Sequence, residues 1–254
     1  MTAADITLLC LAAFAAGGLD AIVGGGGLLQ LPALLLVLPG TPVVSLLGTN
    51  KLAAIAGTGS AAATYSRRVD MHAPTAVRMA IAAFLGSGLG AFLATVAGSS
   101  VLRPVVLVAL VFVWVYTWRR PGLGAAEALR LTPRRQAGVT IAGGAAIGLY
   151  DGFVGPGTGS FLVFLLVGAV GLSFLHASAT AKAVNTMTNL AALLLFGVTG
   201  HVLWKLGLAM AVCNVAGAQL GAHLAIRRGS AWVRRVFLVV VAALIVRLAV
   251  DVLA

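Results

Sequence analysis

The sequence predicts an all-α integral membrane protein built from two inverted-topology repeats, and three observations predict it. First, the 254-residue chain is 61% hydrophobic and only 9% charged, with a mean hydropathy of +1.08. Soluble domains are about 45–50% apolar and about 25% charged, so a water-soluble globule of this size would lack the polar residues to cover itself. Second, a shift of 131 residues, the separation of Asp20 from Asp151, lays the chain on itself without a gap. Third, the arginine clusters change loops between the two halves. Together these predict about 8–10 membrane segments, of the kind secondary transporters build from internal repeats.

The register of the repeat holds from end to end. Gly17, Asp20, Val23, Gly24 and Gly26 fall on Gly148, Asp151, Val154, Gly155 and Gly157, and Thr49 and Lys51 fall on Thr180 and Lys182. Gly86, Leu89, Gly90 and Ala91 fall on Gly217, Leu220, Gly221 and Ala222, and Arg103 falls on Arg234. Two of the three lysines and two of the six acids superpose. Composition alone does not produce one register over this length, so the chain divides into a first repeat (1–118), a linker (119–136) and a second repeat (137–254).

Each repeat contains the same elements in the same order. An apolar run (6–23; 138–154) ends in a glycine cluster and is followed by a short apolar run (28–38; 160–170), less than the ~20 residues of a straight spanning helix. A long segment carrying a lysine follows (43–66; 173–199), then one with small-xxx-small spacing (75–97; 203–226) that favours close helix contact. A last span closes each half (101–118; 236–253). The broken first element either crosses twice or forms a re-entrant hairpin. Met1-Thr2-Ala3-Ala4-Asp5 lacks the basic start of a signal peptide, so the first run is expected to remain in the protein.

Seventeen basic residues against six acids give a net charge of +11. In a soluble protein that excess points to nucleic acid. Here the arginines lie between apolar runs and are expected to face lipid headgroups and set orientation. The linker, with Arg119, Arg120, Arg130, Arg134 and Arg135, is placed in the cytoplasm, and the turn near Arg67, Arg68 and Arg78 with it. In the second half the strong cluster is Arg227, Arg228, Arg234 and Arg235, which answers to the outward turn of the first half, so the repeats are expected to be inverted. Trp114, Trp118, Trp204 and Trp232 read as interfacial anchors. Cys10 and Cys213 lie in apolar segments and make neither a disulfide framework nor a metal motif.

Few residues are left to carry chemistry. Gly24-Gly25-Gly26-Gly27 and Gly155-Pro156-Gly157-Thr158-Gly159 interrupt the helices where continued helix would be expected. Broken backbone at membrane depth is tolerated where it is buried in protein or lines a wet cavity, and its amides with the following helix N-terminus favour an anion. Lys51 and Lys182 sit inside long apolar segments, where a charge is rarely idle. Lys182, Asn185 and Asn189 share one helix face, and Lys51 and Thr58 repeat that spacing, with Asn50 and Thr49 alongside. The expected anion ligands are therefore Lys51, Lys182, Asn50, Asn185, Asn189, Gly25, Gly26, Gly157, Thr158, Gly159 and Ser160. Asp20 and Asp151 read as lysine partners in preference to proton or cation relays. A lysine–aspartate pair that merely staples the halves is the structural alternative. Gln30, Ser60, Thr180 and His176 are further polar candidates, and His72 lies in the arginine-rich turn.

The motifs also carry a resemblance. Asp20 through Leu29 with Gly48-Thr49-Asn50-Lys51-Leu52, and Gly148 through Ser160 with Thr180-Ala181-Lys182-Ala183-Val184-Asn185, resemble the two halves of the TauE/SafE sulfite-exporter-type permeases, nearly from end to end. The resemblance implies a multi-pass inner-membrane permease that exports sulfur-containing or organic anions such as sulfite or sulfoacetate. One departure is Ala181, where the first copy has Asn50. The residues and the resemblance together predict a carrier for small anions working by alternating access, with a coupling proton or cation, no cofactor and no nucleic-acid partner. An anion channel or an integral-membrane enzyme are the alternatives.

Overall fold

The computed structural model describes the backbone of residues 2–69, 73–96 and 131–253, with side chains in those ranges as far as 239, apart from 237. The expected span 101–118, most of the linker, His72, Arg103, Trp114 and Trp118 lie outside the described residues. All regular structure among the described residues is helical. The first half contains α1 (Ala3–Val23), α2 (Gly27–Val37), α3 (Val43–Ser66) and α4 (Ala73–Val96). The second contains α5 (Pro133–Phe153), α6 (Thr158–Leu165), α7 (Phe174–Val198) and α8 (Trp204–Leu253). Among the described residues four stretches are long and apolar enough to cross a membrane: Ala3–Val23, Ala73–Val96, Phe174–Val198 and Trp204–Val236. Helices α3 and α5 are of similar length, 24 and 21 residues, but hold the lysine, carboxylate and amides of the interior.

Local chemistry sets the helix ends. Thr2 caps α1 in a capping box with Asp5, Pro133 occupies the start of α5, and the Ser173 hydroxyl accepts from the His176 amide at the start of α7. His176 is thus a residue of a helix start. α1 stops at Gly24, whose φ of 83° is a left-handed conformation that a side chain would strain. After α6 the backbone widens into a π-helical turn, Leu166–Val170, and stops at left-handed Gly171, so the expected 160–170 run is not one regular helix. A second difference lies near the arginines of the second half. The expected loop between 226 and 236 is helical except at Gly229 (φ 72°, ψ −176°), because arginine is a good helix former and one glycine suffices for the bend.

Two apolar cores stand at opposite ends of the molecule with the polar residues between them. One gathers Tyr65, Val69, Met79, Leu162, Val170 and Val233; the other gathers Leu9, Leu31, Leu34, Leu46, Phe196 and Met210. The cores are copies: Leu31, Tyr65 and Met79 of one half fall on Leu162, Phe196 and Met210 of the other under the 131-residue shift. α1 starts beside Leu9 and reaches Ala21–Val23 of the far core, yet α2 returns Leu31 and Leu34 to the core where α1 began. Gly26 packs against Ala16 and Asp20 as the chain folds back. The broken first element is therefore a helical hairpin that folds back at the glycine break, and α5–α6 forms its counterpart.

Contacts between the halves exchange under the same shift. Gly217 packs against Phe14 and Gly221 against Gly18; their counterparts are Gly86 against Ala145 and Gly90 against Leu149. This reciprocity is the signature of a two-fold relation. Helices α1 and α8 run in the same direction, as do α3 and α8, where Leu52 meets Gly207 and Gly57 meets Asn214. Helices α3 and α7 run oppositely, since Gly48 meets Phe196 while Gly59 meets Thr186. These two helices are repeat counterparts. The Asn189 amide reaches its own counterpart, Thr58 Oγ1, at 3.5 Å, so that contact sits on the axis.

Candidate functional site

The two glycine breaks cross each other midway between the apolar cores. Gly24 lies so close to Gly159 that a Cβ on either would overlap the other's backbone. The crossing is pinned by hydrogen bonds: the Ser160 amide donates to Gly24 O at 3.2 Å and its hydroxyl to Val23 O at 3.1 Å. Tyr150 braces the second break by donating to Pro156 O at 2.6 Å, its ring edge-on to Phe161. Tyr65 donates to Ala21 O at 2.9 Å below the first.

The charged residues pair across the halves. Lys51 Nζ lies 2.7 Å from Asp151 Oδ2, and Lys182 Nζ lies 2.8 Å from Asp20 Oδ2. The first pair is sealed, each side chain 2% exposed; in the second Lys182 is fully buried and Asp20 is 14% exposed. Lys182 and Asp20 share a directed hydrogen bond. The Lys51–Asp151 contact is one of charge, because Asp151 Oδ2 gains no aligned donor. Lys51 also lies along the second break, where a methyl group at Gly155 would sit 2.9 Å from its Nζ. Four formal charges, three of them buried, cancel in two swapped pairs, so neither half neutralises its own lysine.

Beside these pairs is a cavity of about 30 Å³. A water needs roughly 10–15 Å³ by this kind of measure, so the cavity holds about two waters and is closed to an organic anion. Lys51, Asn50, Asn185, Asn189, Gly26, Gly157, Thr158, Gly159, Asp20 and Asp151 line it, as does Gln30. Three expected ligands do not. Lys182 sits behind Asp20, Gly25 is turned away, and Ser160 holds the helix crossing. Others are already engaged: the Gly26 amide donates to Asp20 Oδ1 at 3.4 Å, and the Thr158 hydroxyl to Gly155 O at 2.7 Å. Asn185 Oδ1 accepts from Thr188 at 3.1 Å.

One cavity residue escaped the sequence reading. Asn214 of α8 donates to Gln30 Oε1 at 2.8 Å, and Gln30 Nε2 donates to Asn50 O at 3.3 Å. These three residues, joined through the Asn50 main-chain carbonyl, are nearly wholly buried. Asn50 is an exception to the rule that buried polar atoms are satisfied, for its Oδ1 has no hydrogen-bond partner. The available signal was a lone carboxamide within a small-residue helix face, where an apolar residue would pack better.

Residues 9–248 match the family model for the sulfite exporter TauE/SafE. The chain belongs to the TauE/SafE family. It is 37% identical over 247 residues to a Sinorhizobium protein named "Probable membrane transporter protein ORF9", covering 97% of this chain and 93% of that one. It is 34% identical to the Escherichia coli K12 "Probable membrane transporter protein YfcA", covering 96% of this chain and 89% of the relative. A Haemophilus influenzae "Probable membrane transporter protein" is also 34% identical, over 90% of this chain and 88% of its own. No solved structure matches the chain. This TauE/SafE member is thus a multi-pass helical protein of a membrane-transporter family, and its crossed hairpins frame the charge pairs just described.

Proposed function

We propose that this protein is a secondary carrier of small oxyanions, sulfur-containing or organic, of the class of sulfite or sulfoacetate. Export proceeds by alternating access in the inner membrane. The observation that carries the reading is Lys51: a buried ammonium at the edge of a polar cavity, between the glycine crossing and the unpartnered Asn50 oxygen. An entering oxyanion would share the ammonium with Asp151, and Asn50, Asn185 and Asn189 would orient it. Glycine-break amides and the Thr158 end of α6 favour negative charge in the same place. Lys182, tied to Asp20, would act by holding the opposite hairpin in position. Asp20 and Asp151 set lysine charge, and a coupling proton or cation would meet the more open Asp20 first.

The opposed directions of α3 and α7 support inverted halves, and rocking one against the other would open the closed cavity to each side in turn. Parallel α3 and α8 bring the Arg67–Arg68 end beside His223 and the 227–228 arginines, which supports one cytoplasmic face. The small size of the cavity favours a carrier over an open channel. Proteoliposome flux of radiolabelled sulfite and sulfoacetate tests the reading. Lys51→Met/Asp151→Asn, which removes the charge pair together and so leaves the protein folded, is expected to abolish saturable flux, and normal flux in that variant would overturn the reading.

A further inference from the structure

A second pocket lies at the end of α3, outside the site described above. It has a volume of about 240 Å³ and is lined by Ser60, Ala63, Thr64, Arg67, Arg68, Gln219 and His223. Gln219 forms its floor. Its Nε2 donates to Ser60 Oγ at 2.5 Å and its Oε1 accepts from Thr64 at 2.9 Å, clamping α3 to α8. The central cavity reaches Ala54 of the same helix, six residues from Ser60, or about 9 Å of helix. Arg67, Arg68 and His223 stand exposed around the mouth.

The two-fold relation supplies an internal control. The counterparts of Ser60, Thr64, Arg67, Arg68, Gln219 and His223 are Ala191, Leu195, Val198, Thr199, Gly88 and Phe92, none of them charged and only Thr199 polar. Duplication would have placed equivalent pockets at both ends, but only the positions at this end carry arginines. Packing does not require this difference, because the apolar version serves at the other end.

Resting on the carrier reading above, we propose that this pocket is a one-sided vestibule in which Arg67 and Arg68 concentrate oxyanions above the Gln219 latch. Clefts lined by charge of one sign raise the local concentration of the opposite ion and its rate of entry. The chemistry fits an oxyanion, whether a free solute or the phosphate of a lipid headgroup, and the free solute is the occupant that a path toward the central cavity implies.

The test does not require the cargo to be known. In a background lacking Cys10 and Cys213, Ala63→Cys is reacted with an anionic sulfonate thiosulfonate reagent and a cationic ammonium one, each normalised to a free thiol. In phosphatidylcholine vesicles the anionic reagent is expected to be favoured about tenfold. The preference should vanish in Arg67→Gln/Arg68→Gln and be absent at Thr199→Cys, the counterpart of Arg68. Equal rates at Ala63→Cys, or a preference that survives loss of both arginines, would overturn the vestibule. Loss of the preference only when phosphatidylglycerol is added would assign the pocket to lipid phosphate and likewise overturn it. Sulfite flux in the same vesicles separates this proposal from the carrier reading. Arg67→Gln/Arg68→Gln should raise KM from the arginine face alone and leave kcat unchanged, whereas absence of flux in the unaltered protein counts against the substrate class and leaves the reagent result standing.

Discussion

The Lys51–Asp151 pair gives the sharpest energetic prediction. Both side chains are 2% exposed and the charges are 2.7 Å apart. Removing one partner of such a pair leaves an uncompensated buried charge and destabilises by about 3–5 kcal/mol, while replacing both by groups of similar volume is often neutral or stabilising. Lys51→Met and Asp151→Asn should therefore each lose about 3–5 kcal/mol, a large share of the roughly 5–15 kcal/mol that holds a protein folded. Their independent sum would be about 6–10 kcal/mol. The double variant should lose under about 2 kcal/mol, leaving a coupling of at least about 4 kcal/mol, above the usual range for neighbours because both charges are desolvated. Denaturant unfolding of the purified protein in micelles, monitored by tryptophan fluorescence, measures the cycle. If the singles do not fold, recovery of a folded monodisperse double variant reads the same coupling. A double variant as unstable as the sum of the singles would refute the argument. The folded double variant should also show no saturable anion flux, since stability is restored without the ammonium.

Other consequences follow from the same geometry. Lys182→Met should destabilise less than Lys51→Met in that unfolding assay, because it orphans Asp20, which is 14% exposed and within reach of water, whereas Lys51→Met orphans Asp151 at 2%. Gly24→Ala combines a left-handed φ with overlap of the Gly159 backbone and should prevent stable folding, whereas Gly88→Ala, which meets nothing within 4 Å, should be neutral or slightly stabilising by thermal melt. Asn214→Leu strands the Gln30 oxygen and should lose about 1–3 kcal/mol in denaturant unfolding. For topology, cysteines at Arg67 and Arg227 should label from one face of sealed vesicles and Gly40→Cys from the other; labelling of all three from one face would contradict the assigned directions.

What was legible in the sequence was what the duplication wrote twice. The glycine breaks, both lysines and both aspartates recur at one spacing, and the structure brings all of them to the middle of the molecule. The partner choice was not legible, since a lysine could meet the aspartate of either half; only the crossing of the two hairpins sets each beside the other half's carboxylate. Hydropathy also could not separate a hairpin from two crossings, because α2 is equally apolar in either arrangement. Asn214 was invisible for a related reason: its counterpart is Ala83, so the repeat gives no signal there. The arginines of the second half were read as a loop, yet arginine supports helix and Gly229 alone bends the chain.

Symmetric charge and asymmetric amides divide the labour in the carrier reading. The two lysine–aspartate pairs are reciprocal and sum to zero, so they fix how the halves meet without favouring either sign of cargo. Gln30, Asn50 and Asn214 break the symmetry, for their counterparts are Phe161, Ala181 and Ala83. The cavity therefore has Gln30, Asn50 and Asn214 on its α2–α3–α8 side and Asn185, Asn189 and Thr158 on the equivalent side, and of the two buried lysines only Lys51 lines it. A bound oxyanion would leave the axis toward Lys51 and Asn50, away from Lys182. Its negative charge would be added to a neutral, largely buried site, and an uncompensated buried charge is strongly unfavourable. Entry must then either draw the Asp151 carboxylate off Lys51 or bring a positive charge along. The first loosens the contact between α3 and α5, one from each half, and so couples occupancy to their relative motion; the second couples it to an ion. Both put the energetic link between cargo and conformational change at the Lys51–Asp151 pair.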